Sequence, residues 1–483
     1  MMRDRVLEFL AACGIVVGVG VLAAVVMPGS GHIERSLVVG KDMRQVYDVL
    51  DNFHRLPEFS LLSSRDPDIK YTYSGKAYGP GAEVSWTSGN LTVGNGSLTI
   101  DSATPDFSKV DGTAKTAQIV WDLENNWKGY DKTFTFALER QGQRNNFTNI
   151  TWSYDVKYGW NLVNRFANLY IHGDPDAFIQ YGLNNLQNVL AAVPNVDYGN
   201  LIPYIRQTEQ TPVLLVPVTI QLKDGNDAYT DAVSKSVTQI LATAKKLGVN
   251  ATGPRIVFTT NYGDTDYSFD VAMPIDSSSV NVNGQTQQLT PPTPPAANAL
   301  PASASTAATP ATPAALNPGD HDTLGRLVVD GDVRATLAFG GPALEGVWNG
   351  TFVGVRSTRD QLKAYALTHG YKFDEAANRS YDIEAKPEVK DAQGNITSYA
   401  EYDVYLPVTN ALDQTPEQAA GIKQPTLDVA PASSGSAAAP ASAGTAAAPA
   451  NAGSAPAPAS TAAAPAAKPQ AKPAAKAKHH GKH

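Results

Sequence analysis

Cysteine is almost missing from this 483-residue chain, and the one present, Cys13, lies inside a hydrophobic run. No intramolecular disulfide can form, and cysteine-ligated zinc is excluded from the rest of the chain. Histidine is scarce as well, eight in all, and three of these, His479, His480 and His483, crowd the C-terminus. Charged residues make up only 17 % of the chain and leave a net charge of −8 at pH 7. Without a basic excess the chain lacks the electrostatic footprint that phosphate backbones require, so nucleic acid is not expected as a partner. No Gly-x-Ser-x-Gly elbow, His-Glu-x-x-His pair or phosphate-binding glycine loop occurs. Gly79-Pro80-Gly81 and Gly94-Asn95-Gly96 read as turns. No catalytic set, cofactor or metal site is therefore expected, although a Ser-His-Asp triad assembled only by folding stays open.

What the chain does have is one long apolar run, Phe9 to Met27, free of charge. At about 1.5 Å per residue it matches a hydrocarbon core of ~30 Å. Arg3 and Arg5 precede it and Pro28-Gly29-Ser30-Gly31 ends it, so the positive-inside rule leaves the remainder exported. The expectation is a single-pass anchor in a bacterial inner membrane with the soluble part in the periplasm. A cleaved signal peptide is the rival, with Val21-Leu22-Ala23 as the small-residue pattern.

By length the chain holds about two to four domains. Residues 277–320 are rich in Pro, Ala, Ser and Thr and are expected to be a disordered insertion, since they cannot bury enough apolar surface to offset their entropy. Residues 429–483 repeat Ala, Pro and Ser and end on Lys476, Lys478 and Lys482 among the terminal histidines. This tail is expected to be disordered and either to solubilise the chain or to touch an anionic envelope surface.

Residues 32–195 open with a strand, Ile33 to Val39, and a helix, Asp42 to Leu50. Strand-like runs follow at Glu83–Trp86, Leu91–Ile100, Ala117–Trp121, Lys132–Leu138 and Asn149–Val156. A long helical pattern, Leu162 to Val193, is interrupted at Gly173-Asp174-Pro175, where Asp174 is placed to cap a second helix. His54 and His172 stand alone, without metal-like spacing. Trp86, Trp121, Phe134 and Trp152 lie on strands, either lining a cavity or simply packing a core.

The carriers of a family resemblance here are Ile33-Glu34-Arg35-Ser36, Val46-Tyr47-Asp48-Val49-Leu50, and Tyr78-Gly79-Pro80-Gly81-Ala82 before Trp86. Gly94 to Ile100 and Gly182-Leu183-Asn184-Asn185-Leu186 complete them. In that order they resemble the polyketide cyclase/START-related (SRPBCC) ligand-binding superfamily. The resemblance implies an α+β helix-grip fold, a curved antiparallel sheet around a long C-terminal helix, with an apolar cavity between the two.

Residues 210–276 and 322–409 read as two copies of one β-α-β-β unit. The first has strand Val213–Leu222, a helix through Tyr229 to Ala244 capped by Gly248, and strands Ile256–Thr260 and Tyr267–Pro274. The second has strand Arg334–Phe339, helix Thr358–Thr368 capped by Gly370, and strands Tyr381–Glu384 and Ala400–Pro407. Phe269 to Pro274 aligns with Tyr402 to Pro407. The pattern resembles the GyrI-like effector-binding domain, which implies a small molecule held in a groove between halves, met by an acidic residue on the last strand. Asp403 stands where Glu is frequent in that family, and Ser380 where another Glu is frequent.

Strand alternation gives an independent placement. Tyr402, Val404 and Leu406 share the face expected to pack on a helix, while Glu401, Asp403 and Tyr405 share the other. In the first copy Asp270 falls on the same side as Asp403. The candidate ligand contacts are thus Asp403, Tyr405, Tyr381 and Glu401. Trp348, in the loop-like Gly346-Val347-Trp348-Asn349-Gly350, either covers the groove or folds back on the core. The expected role is non-catalytic binding of a small hydrophobic or amphipathic molecule. A hydrolase- or cyclase-type enzyme using Asp403, and a scaffold between membrane and cell wall, are the alternatives.

Overall fold

The computed structural model describes residues 2–106, 110, 114–143, 146–199, 201, 203–293 and 316–412. The tail at 429–483 and the interior of the insertion, 294–315, lie outside the described residues. The fold is α+β, with two large antiparallel sheets behind one apolar N-terminal helix.

That helix, α1, runs Met2–Val26, and its stretch Glu8–Val26 is long and apolar enough to cross a membrane. It passes almost directly into β1 (Ser30–Val39). Three short helices follow: α2 (Met43–Leu50), α3 (Leu56–Phe59) and α4 (Leu61–Arg65). Asp42 caps α2, its side chain accepting from the Arg44 amide at 2.7 Å, as expected of an N-cap carboxylate. Then come β2 (Lys70–Gly75), β3 (Ala82–Thr87), β4 (Gly96–Thr104), β5 (Thr116–Asn125), β6 (Tyr130–Gln141) and β7 (Phe147–Lys157). These strands form a seven-stranded sheet in the order β1-β7-β6-β5-β4-β3-β2. Strand β2 was not legible in the sequence, and β4 starts at Gly96 rather than at Leu91, which is exposed.

The helical stretch from Leu162 is two pieces: α5 (Leu162–Arg165), continued by a 3-10 turn to Tyr170, and then α6 (Asp174–Ala191). Gly173, not Asp174, occupies the N-cap, and Asp174 sits in the first turn, where its charge still favours the positive end of the helix dipole. Helix α6 lies on the sheet at Gly182, where an added Cβ would come within 2.4 Å of the Trp152 ring. Only a residue without Cβ permits that approach.

The deep part of the expected cavity between sheet and helix is filled, and an open groove of about 650 Å³ remains at its mouth beside Trp127, Tyr154 and Ala177. Trp121, Trp152, Phe134, Phe136 and Phe178 form one aromatic cluster, with Trp121–Phe136 and Phe136–Trp152 centroids both 4.5 Å apart. Phe134 stacks on Phe178 at 5.2 Å. The void left beside Trp86, Phe134 and Phe178 is only about 20 Å³. The aromatics are the core itself, because their volume occupies the space an apolar ligand would need.

The second sheet has nine strands. Their residues are β8 (Tyr204–Thr208), β9 (Pro212–Gln221), β10 (Ile256–Tyr262), β11 (Asp266–Pro274), β14 (Leu327–Asp330), β15 (Val333–Leu337), β16 (Gly341–Asn349), β17 (Tyr381–Lys386) and β20 (Glu401–Pro407). Two hairpins lie outside it, β12 (Ser279–Val282) with β13 (Gln285–Gln288), and β18 (Val389–Lys390) with β19 (Ile396–Ser398). The order is β14-β15-β9-β11-β10-β17-β20-β16-β8. Helix α7 (Gly225–Leu247) packs on β9 and β11, and α8 (Val353–His369) on β16 and β20. Gly248 and Gly370 end these helices in the left-handed conformation, at φ 72° and 82°, the usual glycine C-cap.

The central six strands read β9-β11-β10 and β17-β20-β16, mirrored about the β10–β17 seam. The first strand of the second copy is therefore Gly341–Asn349. The stretch expected in that role, Arg334–Phe339, instead falls on β15, which lies between β14 and β9 outside the mirrored six. Both stretches are largely apolar and lie upstream of α8, so periodicity alone could not choose between them. The insertion also differs from its expectation. Residues 279–288 form the hairpin β12–β13, and Val280, Val282 and Leu289 are buried in the core under α7. Three valine and leucine anchors outweigh the disorder-like composition around them.

Candidate functional site

The helices cover one face of the nine-stranded sheet and leave the other open. Tyr402, Val404 and Leu406 pack in the cluster under α8, as alternation predicts. On the opposite face, cross-strand register sets Asp270, Phe258, Tyr381, Tyr405 and Glu345 in one row across β11, β10, β17, β20 and β16. Tyr381 and Tyr405 stack at 4.8 Å. Asp403 and Glu401 lie on the same face, with Glu401 held by Lys386 at 2.7 Å. The structure thus brings Asp403, Tyr405, Tyr381 and Glu401 to one surface.

Trp348 is not among them. It sits at the end of β16 opposite Tyr402, on the helix side, and its indole N–H donates to the Thr351 carbonyl at 2.7 Å. A Cβ on Gly354 would lie 1.9 Å from this ring, so the tryptophan is folded onto the start of α8. Of the two readings of Trp348, core packing is the one the structure has.

Around Asp403 the surface is acidic and half-buried. Burial pushes its carboxyl up to about 6, aided by Glu345 and Glu401 and opposed by Arg206 and Lys386. Tyr405 donates to Glu345 at 3.3 Å, and Arg206 pairs with the other oxygen of Glu345. Burial raises the Tyr381 hydroxyl to about 12.

A partly open cavity lies at the other end of the row. It has a volume of about 230 Å³ and opens above Asp270. Val213, Leu215 and Phe258 form an apolar floor, and the walls come from Pro291–Thr293, Leu324–Arg326, Thr336–Gly340 and the Ala376–Arg379 loop. Asp270 is buried, and it accepts from Arg326 at 2.6 Å and from Arg379 at 3.0 Å. Arg326 also binds Asp322 at 2.7 Å. The two arginines take up the acceptor capacity of Asp270, so its carboxyl group is committed to structure. Arg379 is more exposed than Arg326, and it also donates to Thr260 at 3.0 Å.

Sequence reasoning placed Asp270 on this face but missed the cavity. Arg326 and Arg379 lie in connecting segments that carry no periodic signal, and Pro291–Thr293, which wall the site, fall in the stretch 277–320 whose composition predicts disorder. The cleft between α7 and α8 on the helix side offers no comparable space, about 10 Å³. Phe352 stacks on Tyr229 there at 3.8 Å and closes it over buried Asp382. Burial raises the Asp382 carboxyl to about 6 against the pull of Arg359 and Arg255. Among the described residues no group of His, Cys, Asp or Glu could hold a metal ion.

No family model matches the chain, and no curated protein matches it. Solved structures align with about a third of it. The protein XoxI from Bacillus cereus is 14 % identical over 34 % of this chain and 96 % of its own, with a TM-score of 0.24. Norcoclaurine synthase from Thalictrum flavum, in complex with dopamine and hydroxybenzaldehyde, is 12 % identical over 35 % of this chain and 90 % of its own, with a TM-score of 0.25. Ara h 8.0201 is 11 % identical over 34 % and 99 %, with a TM-score of 0.24. At such values the site's own geometry has to carry the functional reading.

Proposed function

We propose that this chain is a membrane-tethered, non-catalytic binder of a small amphipathic molecule bearing an acidic group. It is built from a START-related module and a GyrI-like module and is held in the periplasm by residues 9–27. The observation that carries the reading is the cavity over Asp270: an apolar floor of Val213, Leu215 and Phe258 beside the guanidinium of Arg379. Apolar walls with few convergent polar groups are the usual make-up of a ligand site. A planar guanidinium selects carboxylate or phosphate. The START-related module serves as a platform in this reading, since its interior is occupied by its own aromatics.

The test is thermal shift and native mass spectrometry on the full chain in detergent, against matched amphiphiles with anionic, neutral and cationic heads. Anionic members raise the melting temperature, and Arg379→Ala weakens them about tenfold or more, the worth of a charged hydrogen bond. A response indifferent to head charge, or none from any class, overturns the proposal.

A second reading has one observation behind it. Half-buried Asp403, with its carboxyl raised to about 6, has the proton affinity of a general base near neutrality. Asp403→Asn with unchanged turnover on ester and lactone panels removes this version.

A further inference from the structure

The segment Tyr158–Ile171 wraps the end of α1. Amides of Tyr158 and Gly159 donate to the Gly29 carbonyl at 2.8 and 3.1 Å. Arg165 donates to the carbonyls of Val25 and Met27 at 3.0 and 3.2 Å, satisfying groups that a helix C-terminus leaves open. Only residues 27–29 separate α1 from β1, and fully extended they reach about 10 Å.

Beside this pinned junction the segment exposes large apolar side chains. Trp160 is 84 % exposed, Val163 77 %, Leu169 63 % and Tyr170 74 %. From Trp160 to Ile171 the only charge is Arg165, whose guanidinium lies 4.9 Å from the Trp160 ring centroid. Leu91 and Tyr170 both border one open groove nearby, and Leu91 is exposed. Scattered exposed apolar residues need no explanation, but a contiguous set does.

We infer that Trp160, Val163, Leu169 and Tyr170 form a collar that sits in the headgroup layer of the leaflet from which α1 emerges. The inference rests on the proposed membrane span of α1. The occupant follows from distance, because Arg165, in the middle of the segment, hydrogen-bonds the Val25 and Met27 carbonyls at the end of the span at 3.0 and 3.2 Å. It also follows from composition, because Trp and Tyr with a lone cation and no acid are what the bilayer interface favours. The soluble part is thereby seated on the membrane and held in one orientation, where a plain tether would let it swing.

Trp160 is the one exposed tryptophan of the six, which gives a direct test. The full chain is reconstituted at high lipid excess into phosphatidylcholine vesicles with brominated acyl chains, and emission is compared with that in unbrominated vesicles. Wild type should lose emission on bromination, and Trp160→Phe should abolish at least half of that loss. Equal quenching in both proteins overturns the collar while leaving the anchor standing. Quenching that disappears as lipid excess rises assigns the patch to a second copy and also overturns it. Failure of the chain to float with the vesicles removes the anchor and the collar together.

Discussion

His369 ends α8 and lies buried where the two folded regions meet. Its Nδ1 is 2.9 Å from the Tyr365 carbonyl, its ring stacks on Tyr365 at 3.8 Å, and Tyr78 of the first region approaches at 5.4 Å. Asp48, Arg44 and His54 face it from the other side. Burial dominates and lowers its pKa from 6.5 to about 4, with Asp48 pulling the other way. Folded His369 is therefore neutral at pH values where the unfolded residue is already charged. The stability associated with this group is complete above pH 6.5 and is lost as the pH falls from there to about 4. Each pH unit in that window costs about 1.4 kcal/mol, so the full loss is about 3 kcal/mol. Asp382 and Asp403 have raised values near 6 and act with the opposite sign, gaining stability as the pH falls. The wild-type profile alone therefore mixes the two effects. The clean quantity is the difference between wild type and His369→Gln, in which both carboxylates titrate alike. Urea unfolding of the full chain in detergent, followed by tryptophan emission from pH 7.5 to 4.5, measures it. Wild type should lose about 3 kcal/mol relative to the variant across that range. Parallel curves for the two proteins would show that His369 is charged or solvated in the folded chain, and the account of the interface would fail.

Other positions give shorter tests. Gly182→Ala drives a methyl into Trp152 and should destabilise the first region by about 1–3 kcal/mol in the same urea assay. Asp270→Ala leaves Arg326 buried with Asp322 as its remaining close partner and should cost about 1–3 kcal/mol, whereas Arg379→Ala should cost less stability and act mainly on ligand affinity. Tyr198→Phe removes the hydroxyl that donates to Asp48 at 2.9 Å and meets Thr368 at 3.0 Å. A loss of about 1–3 kcal/mol in urea unfolding is expected, since a buried acceptor loses its donor.

What could be read from the sequence followed periodicity. The helices on 225–247 and 353–369, their glycine caps and the two-faced last strand are all local patterns. The open face of Asp403, Tyr405 and Tyr381 follows from strand alternation once the strand is found. Three things were not local. Whether Trp121 and Trp152 line a cavity or fill it depends on volumes contributed by strands far apart in sequence. The choice between Arg334–Phe339 and Gly341–Asn349 as a duplicated strand depends on which partner each meets. The cavity wall at Pro291–Thr293 lies in low-complexity surroundings whose composition resembles that of an unfolded segment, although Val280, Val282 and Leu289 tie it down.

Those walls bear on engineering. The Thr293 amide donates to the Leu324 carbonyl at 2.8 Å, the Leu337 amide to the Thr290 carbonyl at 3.1 Å and the Val328 amide to the Asp320 carbonyl at 2.8 Å, so both flanks of residues 294–315 are fastened to each other and to the sheet independently of what joins them. Chain spliced between these flanks changes stability only through loop closure, about 0.6 kcal/mol for each doubling of length. A fluorescent domain inserted there would sit at the rim of the Asp270 cavity with its two termini already clamped. Under the proposed binding role, occupancy of the cavity would then be read as colour, and the protein would serve as a genetically encoded reporter.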